Sequence, residues 1–423
     1  MSAHDAQPYA AFRLNLEQQQ KRAKDLLKAA KAGEVDAQRR LQRAASSATP
    51  ALNLAQAQHC LARELRFANW AALKRHIAAM TQARAALGEI LDRDRRTMHI
   101  RCGNDIENQL SEAGCHGDFN LHINPYLQGP VTDAQDWLEQ RARYIAEHLE
   151  PYMDVEYGKV LAEARAEEAR HAEASRDYER VVLWFEHDRY DQFVLLRCLA
   201  WFAEHGAPPR LEIVGPNDFP GTTRFVGLGQ LPPEALRLLW ERRRVIGAEQ
   251  LAFGLRAWTW FRSADPRPLA TLAREGTPLL PDLAAALRRH LQELPSPTNG
   301  LGLTHALLLQ ALVDHGSCRA GRLVGLVMQE RDPLAGLGDI GYDQVLREMG
   351  TVAEPLVLRA GRQARGEWHR AEVAITALGR TVLQGERDWL DLPVPERWVG
   401  GVRIAPGQCN WRWDERTGAV VSR

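Results

Sequence analysis

Residues 180–191 read RVVLWFEHDRYD, and they place an apolar strand directly before a polar loop. The run from Arg180 to Phe185 is mostly β-branched or aromatic, which is typical of a buried strand. Glu186-His187-Asp188 follows at once, and an apolar helix is predicted from Gln192 to Glu204. A strand, a short polar loop and a helix in this order indicate one unit of an α/β domain.

The same pattern recurs along the neighbouring sequence. Strands are predicted over Thr97–Arg101, Phe119–Ile123 and Arg210–Val214, and helices over Ile106–Ala113, 133–150 and 157–174. Strands that alternate with helices favour a central α/β domain with a mainly parallel, Rossmann-like sheet.

Helical patterns flank this region on both sides. Residues 14–82 carry apolar side chains at helical spacing, and Asn69 is placed to cap a helix that begins at Trp70. Helices return from Leu231 onward, and Val373–Leu383 has the strand-then-helix pattern of a winged-helix domain, by analogy of fold alone. We therefore predict three segments: an N-terminal helical segment over 1–95, the α/β domain over 96–230, and a mostly helical C-terminal domain over 231–423 with a winged-helix-like end and a small β unit.

The composition is that of an ordinary globular protein. Its 423 residues are 45% hydrophobic and 26% charged, and 54 basic residues balance 54 acidic ones. A neutral balance gives no general attraction to nucleic acid or to an anionic membrane, so we expect neither as a partner. The six cysteines are scattered without a Cys-x-x-Cys pair and no basic, apolar leader is visible, which favours reduced thiols in a cytoplasmic protein.

Polar residues cluster where three of the predicted strands end. Ligands bind open α/β sheets outside the carboxyl ends of the strands, so these loops are the predicted site. The candidate catalytic residues are Glu186, His187, Asp188 and Asp191, and the candidate ligand-binding residues are Gly103, Asn104, Asp105, Asn124 and Gly129. We expect the loops to meet at one edge of the sheet and to form a shared polar cavity.

Carboxylates beside an imidazole support two kinds of chemistry. Glu186 and Asp188 could orient His187 as a general base, or they could bind a divalent ion through oxygen ligands. The competing interpretation is structural, because Asp188 or Asp191 could instead cap the helix that begins near Gln192.

The turn at Cys102-Gly103-Asn104-Asp105 has a similar ambiguity. Backbone N–H groups at the start of a helix can hold a phosphate. A phosphate-binding loop usually carries several glycines and often a lysine, whereas this turn has one glycine and no lysine. A simple turn with a helix cap is therefore favoured.

A stretch rich in histidine and cysteine invites a zinc interpretation. It contains His99, Cys102, Cys115, His116 and His122. Their spacing fits no closed structural zinc site, so we predict no metal there.

Ordered motifs along the chain resemble a bacterial family. They are His99–Ile106, Gln128–Val131, Leu183–Asp188, Tyr190–Gln192 and Gly227–Gly229, followed by Ala257-Trp258, Leu280-Pro281, Leu294-Pro295, Asn299–Leu301 and Trp398–Val402. Over roughly residues 97–415 the chain resembles the bacterial domain of unknown function 1835 family with its usual C-terminal companion domain, also of unknown function. Residues 14–80 resemble a helical segment often found beside ankyrin repeats. The family is expected to carry an acidic residue where Asn124 stands and after Thr304, where this chain has His305; the resemblance implies no activity.

The function that we expect is ligand binding by the α/β domain. The ligand would be small and polar or phosphorylated, a nucleotide being one candidate, and hydrolase or transferase activity could accompany binding. The alternative is a non-enzymatic regulator or adaptor whose N-terminal helices and winged-helix-like end contact protein or DNA. The sequence leaves open whether the chain is an enzyme, and it names no cofactor.

Overall fold

The computed structural model describes residues 9–44, 52–222, 225–361 and 364–422. Within these ranges the protein is a mixed α/β structure that contains a five-stranded, mostly parallel sheet. The predicted α/β class is therefore confirmed.

Four helices form the N-terminal part of the chain. They are α1 (Leu16–Lys31), α2 (Val35–Ala44), α3 (Leu54–Glu64) and α4 (Trp70–Ala85). The cap predicted at Asn69 is confirmed, since its Oδ1 accepts the backbone N–H of Ala72 at 2.9 Å. Leu26, Leu41 and Leu61, from the first three helices, are buried in one apolar cluster.

Strands and helices alternate in the central part. The elements are β1 (Thr97–Cys102), α5 (Glu107–Ala113), β2 (Asp118–His122), α6 (Trp137–Leu149), α7 (Tyr157–Asp177), β3 (Arg180–Trp184), α8 (Arg189–His205) and β4 (Arg210–Val214). Strands β1 and β3 pair in parallel, with Thr97 opposite Arg180 and Arg101 opposite Trp184. With the short β5 (Arg244–Val245), which pairs antiparallel to β4, the sheet order is β2-β1-β3-β4-β5.

The C-terminal part is mostly helical. Its helices are α9 (Pro233–Trp240), which precedes β5, then α10 (Ala248–Arg262), α11 (Arg267–Glu275), α12 (Leu283–Leu291), α13 (Leu303–His315), α14 (Ala320–Leu326), α15 (Asp339–Gly350) and α16 (Ala377–Leu383). Its strands are β6 (Cys318–Arg319), β7 (Val357–Ala360), β8 (Glu372–Ile375), β9 (Arg397–Val399), β10 (Val402–Ile404), β11 (Trp411–Asp414) and β12 (Ala419–Ser422). Strands β6, β8 and β7 form an antiparallel sheet in that order, and two antiparallel hairpins, β9–β10 and β11–β12, form the small β unit. None of the helices in the described ranges is both long and apolar enough to cross a bilayer.

The chain divides into two compact units, and neither is one continuous segment. The first unit consists of Met1–Phe119, Glu179–Glu186 and Glu212–Val245. The second unit consists of Asn120–Tyr178, His187–Leu211 and Ile246–Arg423. The three consecutive segments predicted from the sequence are a different subdivision and stay a prediction.

Each unit has its own apolar core. In the first, Met80, Leu110 and Leu236 from three helices pack with Val182 and Trp184 of β3. In the second, α8 and α10 approach closely at Gly254, where an added Cβ would lie 2.4 Å from Leu199 Cβ. Only glycine allows that helix contact, so its position sets the spacing of two central helices of the second unit.

Candidate ligand-binding site

The turns after β1 and β3 lie together in the first unit. Arg101, near the end of β1, donates from Nη2 to Glu186 Oε1 at 2.6 Å and contacts both Asp105 carboxylate oxygens at 3.2 Å. The strand order reverses between β1 and β3, which is where open α/β sheets bind ligands. These two predicted loops therefore meet at the expected end of the sheet.

The carboxylates at this end of the sheet are held by the protein itself. The backbone N–H of Leu228 donates to Glu186 Oε1 at 2.6 Å, and Glu186 is buried. A Cβ at Gly227 would lie 2.1 Å from Glu186 Oε2, and one at Gly229 would lie 2.6 Å from Asp105 Oδ2. Because this glycine turn packs directly on both side chains, we interpret Glu186 as a counter-ion of Arg101 rather than as a group that orients His187 or binds a divalent ion.

The segment that leads into α5 is a turn, as predicted, but the N-cap of α5 is Ile106 and no side-chain hydrogen bond caps the helix. Gly103 has a φ of 84°, a left-handed conformation that favours glycine. Asn104 is exposed, and its carbonyl accepts the N–H of Glu107 at 3.4 Å. These contacts form a helix start, and nothing in them singles out a phosphate.

The loop residues after Glu186 belong to the second unit. Asp188 Oδ1 accepts the backbone N–H groups of Tyr190 and Asp191 at 2.7 and 3.0 Å, which makes Asp188 the N-cap of α8. The helix therefore begins at Arg189 and not near Gln192, so that predicted boundary was wrong. Asp191 is buried in the first turn, and His187 is half-buried. The capping interpretation of Asp188 is confirmed.

Asn124 holds a buried arginine. Its Oδ1 accepts from Arg141 Nε at 2.9 Å, and Arg141 also donates to the carbonyls of Pro125, Gln128 and Pro130 at 2.8, 3.2 and 3.1 Å. Arg141 is 1% exposed. Through these four hydrogen bonds Arg141 fixes the conformation of the 124–130 loop, a role that the sequence did not indicate.

Replacing Asn124 by aspartate tests this role. All four acceptors of Arg141 named above are neutral oxygens, and a charge-assisted hydrogen bond is roughly twice as strong as a neutral one. We expect Asn124→Asp to raise the free energy of unfolding at neutral pH by about 1 kcal/mol, as measured by urea denaturation. The gain should vanish in acid, because a carboxylate stabilised by Arg141 loses that contribution as the pH falls through its lowered pKa.

The neighbouring Asn120 provides the matched control. It is buried too, but its Oδ1 has no hydrogen-bond partner in the described ranges, so Asn120→Asp should destabilise the protein. A loss of stability in Asn124→Asp at neutral pH would contradict the role assigned to Arg141.

A cavity of about 50 Å³ lies in the second unit beside this loop. Its apolar lining comes from Leu127, Tyr144, Leu337, Val345 and Trp398, and its charged lining from Arg189, Glu293, His305, Glu348 and Arg397. Gly129 lines it as well, with a φ of 74° and with so little room that an added Cβ would lie 2.3 Å from the Tyr144 ring. Of the nine predicted site residues, Gly129 thus borders this cavity.

A buried ion network supports the charged side of the cavity. Arg289 donates to the two Asp332 oxygens at 2.8 and 2.7 Å and to Glu293 Oε1 at 2.7 Å. The Thr304 hydroxyl accepts from Arg289 and donates to Glu293, and the Tyr342 hydroxyl donates to Asp332 at 2.6 Å. Burial alone would raise the pKa of Glu293 and of Asp332, but Arg289 and Arg189, with hydrogen bonds from Thr304 to Glu293 and from Tyr342 to Asp332, together outweigh it and hold each pKa below its ordinary value.

Two further arginines carry hydrogen-bond donors that the network does not use. Arg189 Nη1 donates to Glu293 Oε1 at 3.0 Å, while its Nε and Nη2 have no hydrogen-bond partner among the described residues. Arg397 Nη1 donates to the Glu293 carbonyl at 2.7 Å, and in the same ranges its Nε and Nη2 also lack a hydrogen-bond partner. Arg189 is 1% exposed, and burial lowers its pKa. Leaving such donors unsatisfied costs about 1–3 kcal/mol each.

An imidazole and a carboxylate meet at the same cavity. His305 Nε2, on α13, lies 3.3 Å from Glu348 Oε1, on α15. Burial would raise the pKa of Glu348, but His305 and then Arg397 outweigh it and lower that pKa. Such a pair can exchange a proton with a bound molecule. An acidic residue at position 305, as the resemblance implies for the family, would instead face Glu348 with like charge.

Sequence reasoning missed most of this charged lining. Arg189 follows the predicted loop directly, but Glu293, His305, Glu348 and Arg397 lie on other elements far apart in the chain. Charged residues of these types are common on solvated helix faces, so no local spacing marks them as buried. The sequence feature that came closest to indicating this cavity was the Gln128–Val131 motif, because it contains Gly129.

No protein-family model matches the chain, and no curated protein matches it. The resemblance to the domain of unknown function family stays a prediction, so the function is argued from the contacts described above.

Proposed function

We propose that the second unit binds the acidic group of a small phosphorylated or carboxylated molecule in the cavity beside Arg189 and Arg397. The observation that supports this is the set of four guanidinium nitrogens, two on each arginine, that lack a hydrogen-bond partner among the described residues. Phosphate and carboxylate oxygens are the acceptors that a guanidinium fork matches best. A bound acidic group would satisfy donors that are otherwise buried without partners.

The size of the cavity narrows the ligand. A space of about 50 Å³ corresponds to about three to five water molecules at 10–15 Å³ each. A cavity of this volume suits one phosphoryl or carboxylate group and is too small for a whole nucleotide. Of the ligands that the sequence suggested, we therefore favour small phosphorylated or carboxylated molecules over nucleotides.

The arginines and carboxylates beside the cavity are equal in number. Three arginines, Arg189, Arg289 and Arg397, already balance three carboxylates, on Glu293, Asp332 and Glu348. An entering anion adds a negative charge, and the donors of Arg189 and Arg397 that lack partners among the described residues are the groups beside the cavity that can bind it. The pair of His305 and Glu348 supports the hydrolase or transferase activity that the sequence suggested, because it could move a proton to or from the bound group.

Anion titrations test the proposal. Inorganic phosphate and acetate are added to the full chain, with glycerol as a neutral control, and the melting temperature is followed. We expect the anions to raise the melting temperature and glycerol to leave it nearly unchanged; a ligand at 100 times its Kd stabilises by about 2.7 kcal/mol. Arg189→Gln and Arg397→Gln should each remove most of that shift, because each deletes two donors.

Arg274 serves as the matched arginine control. It is exposed and pairs with Glu275 on the surface, so Arg274→Gln should keep the full anion shift. The proposal fails if neither anion stabilises the wild-type chain, or if the shift survives in both cavity variants.

The regulatory alternative has a structural observation in its favour. From α13 to β8 the elements run helix, strand, helix, helix, strand, strand, with the antiparallel order β6-β8-β7, which is the order of a winged helix. The segment predicted to be winged-helix-like, Val373–Leu383, overlaps this region only at β8. In such folds the third helix, here α15, reads DNA. This helix is largely buried, carries Asp339, Asp343 and Glu348 against Arg347, and supplies Val345 and Glu348 to the cavity. We therefore favour a scaffold role for this region over nucleic-acid binding.

A further inference from the structure

Two histidines and a cysteine converge inside the second unit. His122 ends β2, His171 lies in α7 and Cys198 lies in α8, and their exposed fractions are 2%, 1% and 0%. One possible ligand atom from each lies within 4.8 Å of those of the other two. These residue types are the ones that bind zinc in proteins.

The His171 ring is already oriented as a metal ligand would be. Its Nδ1 lies 2.9 Å from the Glu167 carbonyl and donates to it, which leaves the Nε2 lone pair facing inward. That Nε2 lies 3.5 Å from Cys198 Sγ. In a tetrahedral zinc site, with bonds of about 2.0–2.1 Å to nitrogen and about 2.3 Å to sulfur, these two atoms lie about 3.6 Å apart. A backbone carbonyl behind a ligating histidine is also the usual second contact at zinc sites.

His122, the third residue of the cluster, has a buried ring nitrogen that lacks a hydrogen-bond partner among the described residues. His122 Nδ1 has no hydrogen-bond partner in the part of the chain that the structure describes, while its Nε2 lies 3.2 Å from Tyr126 Oη. Glu167 Oε2 lies 3.8 Å from the same Nε2, and Glu167 Oε1 accepts the N–H of Ile123 at 2.8 Å. Glu167 therefore lies on the Nε2 side of the His122 ring, away from the Nδ1 that has no partner.

We propose that His122, His171 and Cys198 bind a zinc ion. Thiolate and imidazole ligands select zinc over calcium or magnesium, which prefer oxygen. Binding requires the Cys198 thiol to lose its proton to solvent, so zinc uptake releases a proton. Because the three side chains are buried, the ion would be structural and would join β2, α7 and α8.

The zinc content of the native chain is the first test. The full chain is purified without chelator and without a metal-binding tag, and its metals are measured by mass spectrometry. We expect about one zinc per chain, removal of that zinc to lower the melting temperature, and cobalt substitution to give the thiolate-to-cobalt charge-transfer band. A chain that holds no zinc, does not gain stability when zinc is added and shows no such band with cobalt overturns the proposal.

A pair of cysteine variants separates this site from other thiols. Cys198→Ser should lose most of the zinc, whereas Cys115→Ser, at a buried cysteine of the first unit, should keep it. Retention of zinc in Cys198→Ser would overturn the proposal. If Cys198→Ser does not fold, His171→Gln is measured instead, and the cobalt spectrum of the native chain still decides, because the band requires a bound thiolate.

Discussion

Replacing Arg289 by methionine is expected to lower the free energy of unfolding by about 3–5 kcal/mol. Arg289 is 2% exposed and forms the forked pair with Asp332, and its third donor group reaches Glu293. Methionine fills much of the same space but leaves Asp332 without its arginine partner, while Glu293 keeps only Arg189. That cost, rather than the net strength of the ion pairs, makes the effect large. Chemical denaturation followed by tryptophan fluorescence measures it.

Arg288, the preceding residue of α12, is the matched control. Its side chain is 54% exposed and pairs with exposed Glu415. Exposed pairs contribute about 0–1 kcal/mol, so Arg288→Met should cost no more than that. The double variant Arg289→Met/Asp332→Leu should lose less than the sum of the two single changes, since it removes both charges of the pair. A cost for Arg289→Met as small as that of the control would show that the network is not buried in solution.

Acid should destabilise the protein strongly, and His290 should cause part of that loss. Its ring packs against Phe193 and Phe261, with ring centres 4.8 and 4.9 Å away. Neither ring nitrogen has a hydrogen-bond partner among the described residues, and burial, with a smaller contribution from Arg189, lowers the pKa of His290 to about 3. In the unfolded chain its pKa returns to about 6.5.

The direction of the pH dependence follows from these two values. Above about pH 6.5 the imidazole is neutral in both states, so its contribution to stability is fully present. As the pH falls from about 6.5 towards about 3, only the unfolded chain takes up the proton, and that contribution is lost. At about pH 4.5 the loss is on the order of 3 kcal/mol from this residue. Burial likewise lowers the pKa of His76 in the first unit, to about 4, which adds to the effect.

Two variants in the same aromatic cluster isolate the His290 contribution. His290→Phe keeps a ring packed against Phe193 and Phe261 but removes the titrating group, so the difference between its unfolding free energies at about pH 7.5 and about pH 4.5 should shrink. Phe193→Leu changes no titrating group and should cost the same at both pH values. Equal pH dependence in wild type and His290→Phe would rule out a neutral buried imidazole at this position.

The strands and the first turns of helices were predictable because neighbouring residues set them. The run from Arg180 to Phe185 is β-branched and aromatic, and it forms β3. Asn69 caps α4 because its side chain reaches a backbone N–H three residues ahead. The start of α8 was misplaced because Arg189-Tyr190-Asp191 carries no apolar period, and only the contacts of Asp188 mark it.

The candidate site was predictable in one part and not in the other. Parallel pairing of β1 and β3 brings Asp105 and Glu186 to one end of the sheet, as the order of strands and loops suggested. The sequence did not show that Arg101 would neutralise both carboxylates or that the Gly227–Gly229 turn would cover them. Those contacts depend on which later segment of the chain packs against the end of the sheet. No local sequence pattern specifies that segment.

Interactions between residues close in the sequence determine the α/β class and the alternation of strands with helices. They also determine the helix caps at Asp188 and Asn69. The cavity lined by Arg189 and Arg397, and the cluster of His122, His171 and Cys198, arise only when segments far apart in the chain fold together. The physical reason is that the chemistry of a charged or metal-binding side chain depends on its burial and its partners. Long-range packing sets both the burial and the partners. The same residue type on a solvated surface has neither.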